Sequence, residues 1–273
     1  RAKLIEGLKS DEKSASAIAA RVQNVLTYGK EHYNGEFTSE ETLKNVTLQD
    51  VINHYNTYFV PSNAYLVVIG DVKTADVKKK VEELFGADVW KKATAPNLTY
   101  NDPKDLQYSQ INFVDVPNAV QSEIALINLS KLKMNDKDYF AAILANQILG
   151  GGGEGRLFLN LREKHGWTYG SYSNLGASKY ISKFSSTASV RNAVTDSAVV
   201  EIFNELKRIR TDLVSAEDLK NAKAKYIGNF VMQIEKPATI ARYALNIKTL
   251  GLPEDFYENY VRNINAVTPE DIR

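Results

Sequence analysis

Residues 157–173 read Leu-Phe-Leu-Asn-Leu-Arg-Glu-Lys-His-Gly-Trp-Thr-Tyr-Gly-Ser-Tyr-Ser, and they are the most informative stretch of the sequence. Its first half favours a helix that carries Arg162, Gly166 favours a turn, and the second half favours a strand that carries Tyr169. Such a unit can aim both side chains at one cleft, where arginine donates to peptide carbonyls and tyrosine to a developing oxyanion. Taken alone, the residues favour a plainer interpretation, with Arg162 in a surface salt bridge and Tyr169 on a half-buried strand.

A glycine-rich segment lies immediately before this unit. It follows a predicted helix rather than a strand, and it lacks the Gly-Lys-Ser/Thr ending of a phosphate-binding loop. We therefore expect a flexible connection between two helices. The glycines are Gly150, Gly151, Gly152, Gly153 and Gly155.

The second part of the chain, after a polar stretch at 91–109, contains strand and helix patterns in alternation. Strands are predicted at 111–116, 122–129, 167–176 and 180–190, the last two as a pair with alternating polarity. Helices are predicted at 139–149 with Asp136 as the cap, at 156–164, at 195–213, and from Ser215 onward.

The first part of the chain is predicted to be mainly helical. Helical spacing extends over 2–28 and ends at Gly29, and Thr47 caps a helix that continues through Tyr58. The continuous apolar run at 64–69 predicts a strand covered on both faces, and an amphipathic helix follows at 74–85. Because the pattern restarts after the proline-bearing stretch 91–109, we expect one sheet before this stretch and another after it.

An internal repeat relates the two ends of the chain. Residues 46–51 resemble residues 267–272, and three further matches share an offset of 222: Ala2 with Ala224, Ile18 with Ile240, and Gly29 with Gly251. The collinear matches predict a unit of about 220 residues. Residues 1–95 would then be the C-terminal part of one unit, 96–109 a linker, and 110–273 most of a second unit, truncated before its last strand. Two unrelated helices with similar caps remain the alternative.

Composition excludes several classes of function. There is no cysteine, so disulfides and thiolate metal sites are excluded, and no Gly-x-Ser-x-Gly elbow is present. Lysine and arginine total 34 against 33 aspartate and glutamate, which gives no sign of a nucleic-acid partner. No apolar run approaches the ~18 residues that a transmembrane helix requires.

The three histidines form no metal-binding pattern. His32, His54 and His165 are too far apart in sequence for a His-Glu-x-x-His or His-x-x-Glu-His motif. We interpret His32 as a loop residue, His54 as a residue on a helix surface, and His165 as an exposed residue.

The stretch that opens this section resembles the second-domain motif of pitrilysin/insulinase-type zinc metallopeptidases. The segment at 28–35 and the segments at 61–63 and 67–72 are similar to the connecting half of that family, so the resemblance covers nearly the whole chain. The residues that carry the motif are Leu149, Gly150, Gly151, Gly152, Arg156, Leu157, Phe158, Leu161, Arg162, Glu163, Lys164, Gly166, Tyr169 and Ser173.

This resemblance implies an α+β fold of repeated α/β sandwich units, with mixed, mostly antiparallel sheets and helices packed on them. Paired halves close like a clamshell on an unfolded peptide. One half holds zinc through His-x-x-Glu-His and a later glutamate, and the facing half supplies an Arg/Tyr pair. Arg162 and Tyr169 match that pair in type and spacing, and glycines 150–153 would lie near the cleft.

The sequence departs from the active pattern of the family, because nothing in it matches the zinc ligands or the catalytic glutamate. We expect no catalytic residue and no metal here, and a chain that is inactive alone. It would be the substrate-binding region of a zinc metalloendopeptidase, with a peptide and a zinc-bearing half, in the same polypeptide or another subunit, as partners. Arg1 stands inside a helical pattern, so we expect the natural chain to continue upstream.

Two other interpretations stay open. One is a scaffold or assembly subunit of the same fold that has no proteolytic activity, and the other is an unrelated α/β protein that binds a small molecule. The cysteine-free composition, rich in lysine, asparagine and tyrosine, suggests a bacterial periplasmic or envelope protein.

Overall fold

The computed structural model describes residues 1–86, 90, 93–104, 106 and 108–273. They fold as a largely helical α+β chain, which confirms the expected class. The strands are β1 (Gln121–Ser130), β2 (Thr168–Leu175) and β3 (Ser182–Arg191). The helices are α1 (Ala2–Asp11), α2 (Ala15–Tyr28), α3 (Glu40–Asn45), α4 (Leu48–Tyr58), α5 (Thr74–Phe85), α6 (Tyr139–Gly150), α7 (Arg156–Phe158), α8 (Thr195–Thr211), α9 (Ala216–Ile234), α10 (Pro237–Leu250), α11 (Tyr260–Ala266) and α12 (Pro269–Ile272).

The three strands form one antiparallel sheet in the order β1-β3-β2, so β3 is central and β2 is an edge strand. Ala188 of β3 is paired with Ile124 of β1 on one side and with Ser171 of β2 on the other. Because side chains alternate along a strand, these three residues share one face, and all three are buried. The predicted strand pair at 167–176 and 180–190 is confirmed.

Helices α6 and α8 cover that buried face and form the core with it. Leu144 of α6, Ile202 of α8 and Val190 of β3 are completely buried and belong to one continuous apolar cluster. Burying each such side chain contributes about 1.5–3 kcal/mol relative to leaving it exposed. The core therefore fixes the positions of α6 and β2. Helix α6 leads into the glycine segment, and β2 follows Arg162 in the chain.

The first part of the chain contacts the sheet through α2, which packs against β1. Lys183 of β3 alternates with the core residue Phe184 and therefore points to the other face, where its Nζ donates to Asn24 Oδ1 of α2 at 2.8 Å. Burial lowers the pKa of Lys183. Helix α2 thus lies across the sheet from α6 and α8.

Two predicted strands do not form. Residues 64–69 and 111–116 take part in no ladder of the described chain, and most of their apolar side chains are exposed, Ile111 to 98%. The prediction that 64–69 is covered on both faces is wrong, and so is the expected sheet before residue 91. A strand pattern indicates only that a segment tends to be extended. A β-ladder also needs a partner strand, and the described residues supply none to either segment.

Helices α2 and α10 support the internal repeat, because their bounds coincide at an offset of 222 residues. The glycines that end them, Gly29 and Gly251, both have positive φ, 82° and 65°. Helices α4 and α12 both begin with a capping box, in which Thr47 bonds with Asp50 and Thr268 with Asp271. Similar local signals therefore bound the helices at the two ends, although Gly29 and Gly251 differ in ψ, 158° and 38°.

Other sequence predictions have mixed outcomes. Ser215 caps α9 as predicted, and its side chain accepts from the Asp218 N–H. Asp136 does not cap α6, because its carboxylate accepts from the Lys133 N–H and the helix begins after Asp138. The linker at 96–109 includes residues 105 and 107, which lie outside the described residues, and the rest of it has no helix or strand. The division at 1–95, 96–109 and 110–273 stays a prediction.

Candidate functional site

The predicted helix at 156–164 exists, but it changes type along its length. Helix α7 continues directly into a π-helical turn, Leu159–Lys164, in which the His165 N–H donates to the Asn160 carbonyl at 3.2 Å. Leu157 and Leu161 are completely buried and anchor the segment in the core. Gly166, with a φ of 63°, then turns the chain into β2.

Arg162 projects from the π-turn toward solvent. Its guanidinium carbon lies 4.9 Å from the centre of the Phe158 ring, in a cation–π contact. Its Nε lies 3.6 Å from Glu163 Oε1, and the side chain is 46% exposed. Since the ring supports one face of the guanidinium, the N–H donors at its edge remain directed to the surroundings.

Phe158 connects Arg162 with the rest of the site. Its ring centre is 5.9 Å from that of Tyr172 on β2. A Cβ added at Gly153 would lie 3.8 Å from the ring. Arg162, Tyr172 and Gly153 are therefore all close to one aromatic side chain, and the prediction that glycines 150–153 lie near a substrate cleft stays a prediction.

Tyr169 lies at a β-bulge at the start of β2. Thr168 pairs with Val190 and Ser171 with Ala188, so β2 has one more residue than β3 over this interval. The Tyr169 side chain is 86% exposed. In the described part of the chain, no hydrogen bond or ring contact joins Tyr169 to Arg162. Both side chains are available to a ligand, but Phe158 brings Arg162 together with Tyr172 rather than with Tyr169.

The glycine segment is closely packed, which corrects the expectation of a flexible connection. A Cβ at Gly150 would lie 2.5 Å from the Ser173 backbone nitrogen, and one at Gly155 would lie 2.7 Å from Gly150 Cα. Gly152 has a φ of 147°, which side-chain-bearing residues rarely adopt. The segment needs glycine because backbones approach each other there.

Arg156, at the start of α7, is a site residue to which sequence reasoning gave no separate role. It is buried, and its Nη2 lies 3.5 Å from Asp218 Oδ2 in the first turn of α9. A buried guanidinium requires such a partner, because burial of an unpaired charge is costly. Arg156 therefore ties α7 to α9. Its place in a helical pattern resembles that of a surface arginine, so its burial could not be read from the sequence.

The histidines do not fit a zinc ion. His32 is buried between Tyr28 and Tyr33, with its Nδ1 accepting the Asn34 N–H at 3.1 Å. His165 stacks on Trp167 with ring centres 4.0 Å apart, so the prediction that it is exposed is wrong. Within 1–86, 90, 93–104, 106 and 108–273, no three histidine, aspartate or glutamate side chains are grouped to hold a metal. No chemical step can therefore be assigned to zinc on the residues described here.

The peptidase M16 inactive domain family matches residues 45–226, more than half of the chain and all of the segment from α4 to the site. The chain belongs to this family. The resemblance to pitrilysin-type zinc metallopeptidases, stated above from the motif, is confirmed at the level of the family.

Of two similar proteins, one is named a probable inactive metalloprotease and the other an uncharacterized zinc protease. The chain is 24% identical over 241 residues to the probable inactive metalloprotease YmfF of Bacillus subtilis (strain 168), covering 88% of this chain and 54% of YmfF. It is 23% identical over 275 residues to the uncharacterized zinc protease YmxG of the same organism, covering 98% of this chain and 64% of YmxG. This M16 domain therefore spans between half and two thirds of the length of these two relatives.

A solved structure supports the fold independently. The peptidase M16 inactive domain from Pseudomonas fluorescens matches with a TM-score of 0.88 at 21% identity, over 99% of this chain and 64% of the other.

No helix among the described residues combines the length and apolar character needed to cross a bilayer.

Proposed function

We propose that this chain is the non-catalytic, substrate-binding region of a zinc-dependent metalloendopeptidase, and that Arg162 and Tyr169 contact the peptide. The observation that carries the proposal is the way the Arg162 side chain is held. Its guanidinium rests on Phe158 while its edge remains available, which holds a fork of donors ready for peptide carbonyls. The plainer interpretation of a surface salt bridge is also present, since Arg162 Nε lies 3.6 Å from Glu163 Oε1, but an exposed pair of this kind contributes little and leaves other guanidinium donors for a ligand.

Tyr169 would donate its phenolic hydroxyl to the oxyanion that develops when a peptide bond is attacked. A donor that binds the transition state more strongly than the substrate raises the rate of the chemical step. Its position at a bulge supports this role, because bulges redirect a side chain out of the regular alternation of a strand. Catalysis itself, including the zinc ion, would belong to another half of the enzyme.

The partner half would pack on the apolar surface of the first part of the chain. Residues 64–69 form no helix or ladder within the described chain and are largely exposed, and neither α4 nor α5 contains a buried residue. Exposed contiguous apolar surface of this kind marks an interaction site. The longer relatives indicate where such a partner half could come from, because each extends beyond the aligned region by a third or more of its own length.

The second candidate is a scaffold of the same fold without proteolytic activity. The name of the relative YmfF, a probable inactive metalloprotease, favours it. Retention of both Arg162 and Tyr169 favours the first candidate, because a scaffold has no need for this pair.

Turnover of an unfolded protein such as β-casein by the longer enzyme tests the proposal. We expect Tyr169→Phe to reduce turnover by about 10²–10³, the usual effect of losing one oxyanion donor, with little change in folding. Arg162→Ala should weaken substrate binding, and Arg162→Lys should restore it only in part, because a point charge does not reproduce the fork. Tyr180→Phe, at an exposed tyrosine between β2 and β3, is the matched control. Wild-type turnover in both site variants, with an essential zinc-site glutamate, would refute the assignment.

A further inference from the structure

Tyr172 lies on the face of β2 that points away from the core. Its neighbours Ser171 and Ser173 are buried, and because side chains alternate along a strand, the Tyr172 side chain points to the opposite face. Its partner on β3 is Thr187, a small and exposed residue, so the neighbouring strand does not cover the ring. Tyr172 is 44% exposed. A large aromatic surface is therefore open to a ligand on this face of the sheet.

The Tyr172 ring is held in place although it is half-exposed. Its centre lies 5.9 Å from the centre of the Phe158 ring, which is buried. On the backbone of its own strand, a Cβ added at Gly170 would lie 2.6 Å from Tyr172 Cε2 and 2.6 Å from its hydroxyl oxygen. The end of the ring thus occupies the space where residue 170 has no side chain. An aromatic ring held in this way loses little conformational freedom when a ligand covers it, which favours binding.

The Tyr172 ring and the Arg162 guanidinium are close enough to contact one peptide. The Arg162 guanidinium carbon and the Tyr172 ring centre lie 4.9 and 5.9 Å from the same Phe158 ring centre, so they are at most about 11 Å apart. An extended peptide rises about 3.3 Å per residue, so about three residues bridge this distance. A peptide whose carbonyl accepts from Arg162 therefore brings a side chain about three residues away to Tyr172.

We propose that Tyr172 is a specificity-determining residue, and that its ring contacts an aromatic side chain of the peptide about three residues from the carbonyl that Arg162 contacts. The proposal rests on the proposed function and deepens it by naming the peptides that the site favours. Contacts between two aromatic rings stabilise a complex beyond the effect of the area that they bury. Folded proteins bury most of their large aromatic side chains, so this preference would direct the site to unfolded segments.

The experiment uses the full chain and two short fluorescein-labelled peptides that differ at one central residue, Phe in one and Ala in the other. Their affinities are measured by fluorescence anisotropy. For the wild type we expect about tenfold tighter binding of the Phe peptide. Tyr172→Ala should reduce this preference to less than about twofold, and Tyr172→Phe should retain it, because the ring makes the contact. Gly170→Ala should act like Tyr172→Ala, because the added methyl group displaces the end of the ring.

Tyr180→Ala is the matched control, because it removes an exposed tyrosine between β2 and β3, and it should leave the preference unchanged. Arg162→Ala tests the proposed function separately, since it should weaken the binding of both peptides by a similar factor. Equal affinities of the wild type for the two peptides, or a wild-type preference in folded Tyr172→Ala, overturn the role of Tyr172 even where Arg162→Ala weakens binding.

A preference that depends on Tyr172, with no effect of Arg162→Ala, supports the aromatic contact and overturns the peptide contact of Arg162. Binding of neither peptide by the wild type overturns both. If Tyr172→Ala does not fold, Gly170→Ala decides the question, because it keeps the tyrosine and changes only the position of its ring.

Discussion

Gly150 is where the site depends most directly on the absence of a side chain. It is the last residue of α6, and α6 passes β2 there at backbone contact. A Cβ at this position would lie 2.5 Å from the Ser173 nitrogen, 2.7 Å from Ser173 Oγ and 2.8 Å from Leu157 Cδ1. Two of these atoms belong to β2 and the third to α7, so a methyl group would push the end of α6 away from β2, which carries Tyr169, and from α7, which leads into the π-turn of Arg162.

The expected cost of Gly150→Ala follows from two opposing effects. Overpacking by a methyl group costs typically 1–3 kcal/mol, and a backbone atom among the contacts places this case at about 3 kcal/mol. Alanine is favoured over glycine in a helix by about 1 kcal/mol. We therefore expect a net destabilisation of about 2 kcal/mol, which lowers the folded-to-unfolded ratio about 30-fold.

Urea unfolding followed by circular dichroism measures this change. Gly153→Ala is the matched control in the same segment, because its Cβ would meet only Phe158 at the ordinary distance of 3.8 Å. Its midpoint should stay within the equivalent of about 1 kcal/mol of the wild type. Equal midpoints for wild type, Gly150→Ala and Gly153→Ala would refute the close approach of α6 and β2.

Three further predictions concern ionisation and metal binding. The hydrogen bond from Asn160 lowers the pKa of Glu201 below its usual 4.5, so its stabilising effect is complete at neutral pH and is lost as the pH falls through the lowered value. Glu201→Gln should flatten the acid limb of stability against pH, and an unchanged limb would exclude this contribution. Burial raises the pKa of Tyr139 to about 12 from its usual 10.0, so stability should decline between these values as the pH rises, and Tyr139→Phe should lessen the decline; an equally steep decline in Tyr139→Phe would exclude this contribution. Because the described histidines form no ligand group, we expect the chain stripped of metal and re-exposed to zinc to hold none in stoichiometric amount, and one tightly held zinc per chain in elemental analysis would contradict this.

The parts of the fold that the sequence predicts are those specified locally. The pair β2 and β3 has alternating polarity over successive residues, and both elements follow that pattern. The caps at Thr47 and Ser215 depend on residues three positions away, and both form. Residues 64–69 have an equally clear strand pattern, yet pairing is a property of two segments, and the described chain contains no second one for them.

The same distinction between local features and contacts of distant segments applies to the site. Arg162 and Tyr169 could be proposed because their spacing matches a motif. The contact of the π-turn with α8 could not, because Asn160 donates to Glu201 and Glu205, which are 41 and 45 residues away from it in sequence. The contact between Tyr172 and Phe158 could not be predicted either. The alternating pattern indicates only which face of the strand Tyr172 lies on, and the contact depends on the tertiary fold.

The most direct test of the central claim is photo-crosslinking in the longer enzyme that we propose. Benzoylphenylalanine would replace Tyr169, and in a separate variant Phe203, an exposed aromatic residue on α8, and each variant would be irradiated with labelled β-casein. If the face that carries Arg162 and Tyr169 binds the peptide, position 169 will crosslink, unlabelled β-casein will compete, and position 203 will remain at background. Equal yields at both positions, or no crosslink at 169 while β-casein binds, would contradict the claim that this face holds the substrate.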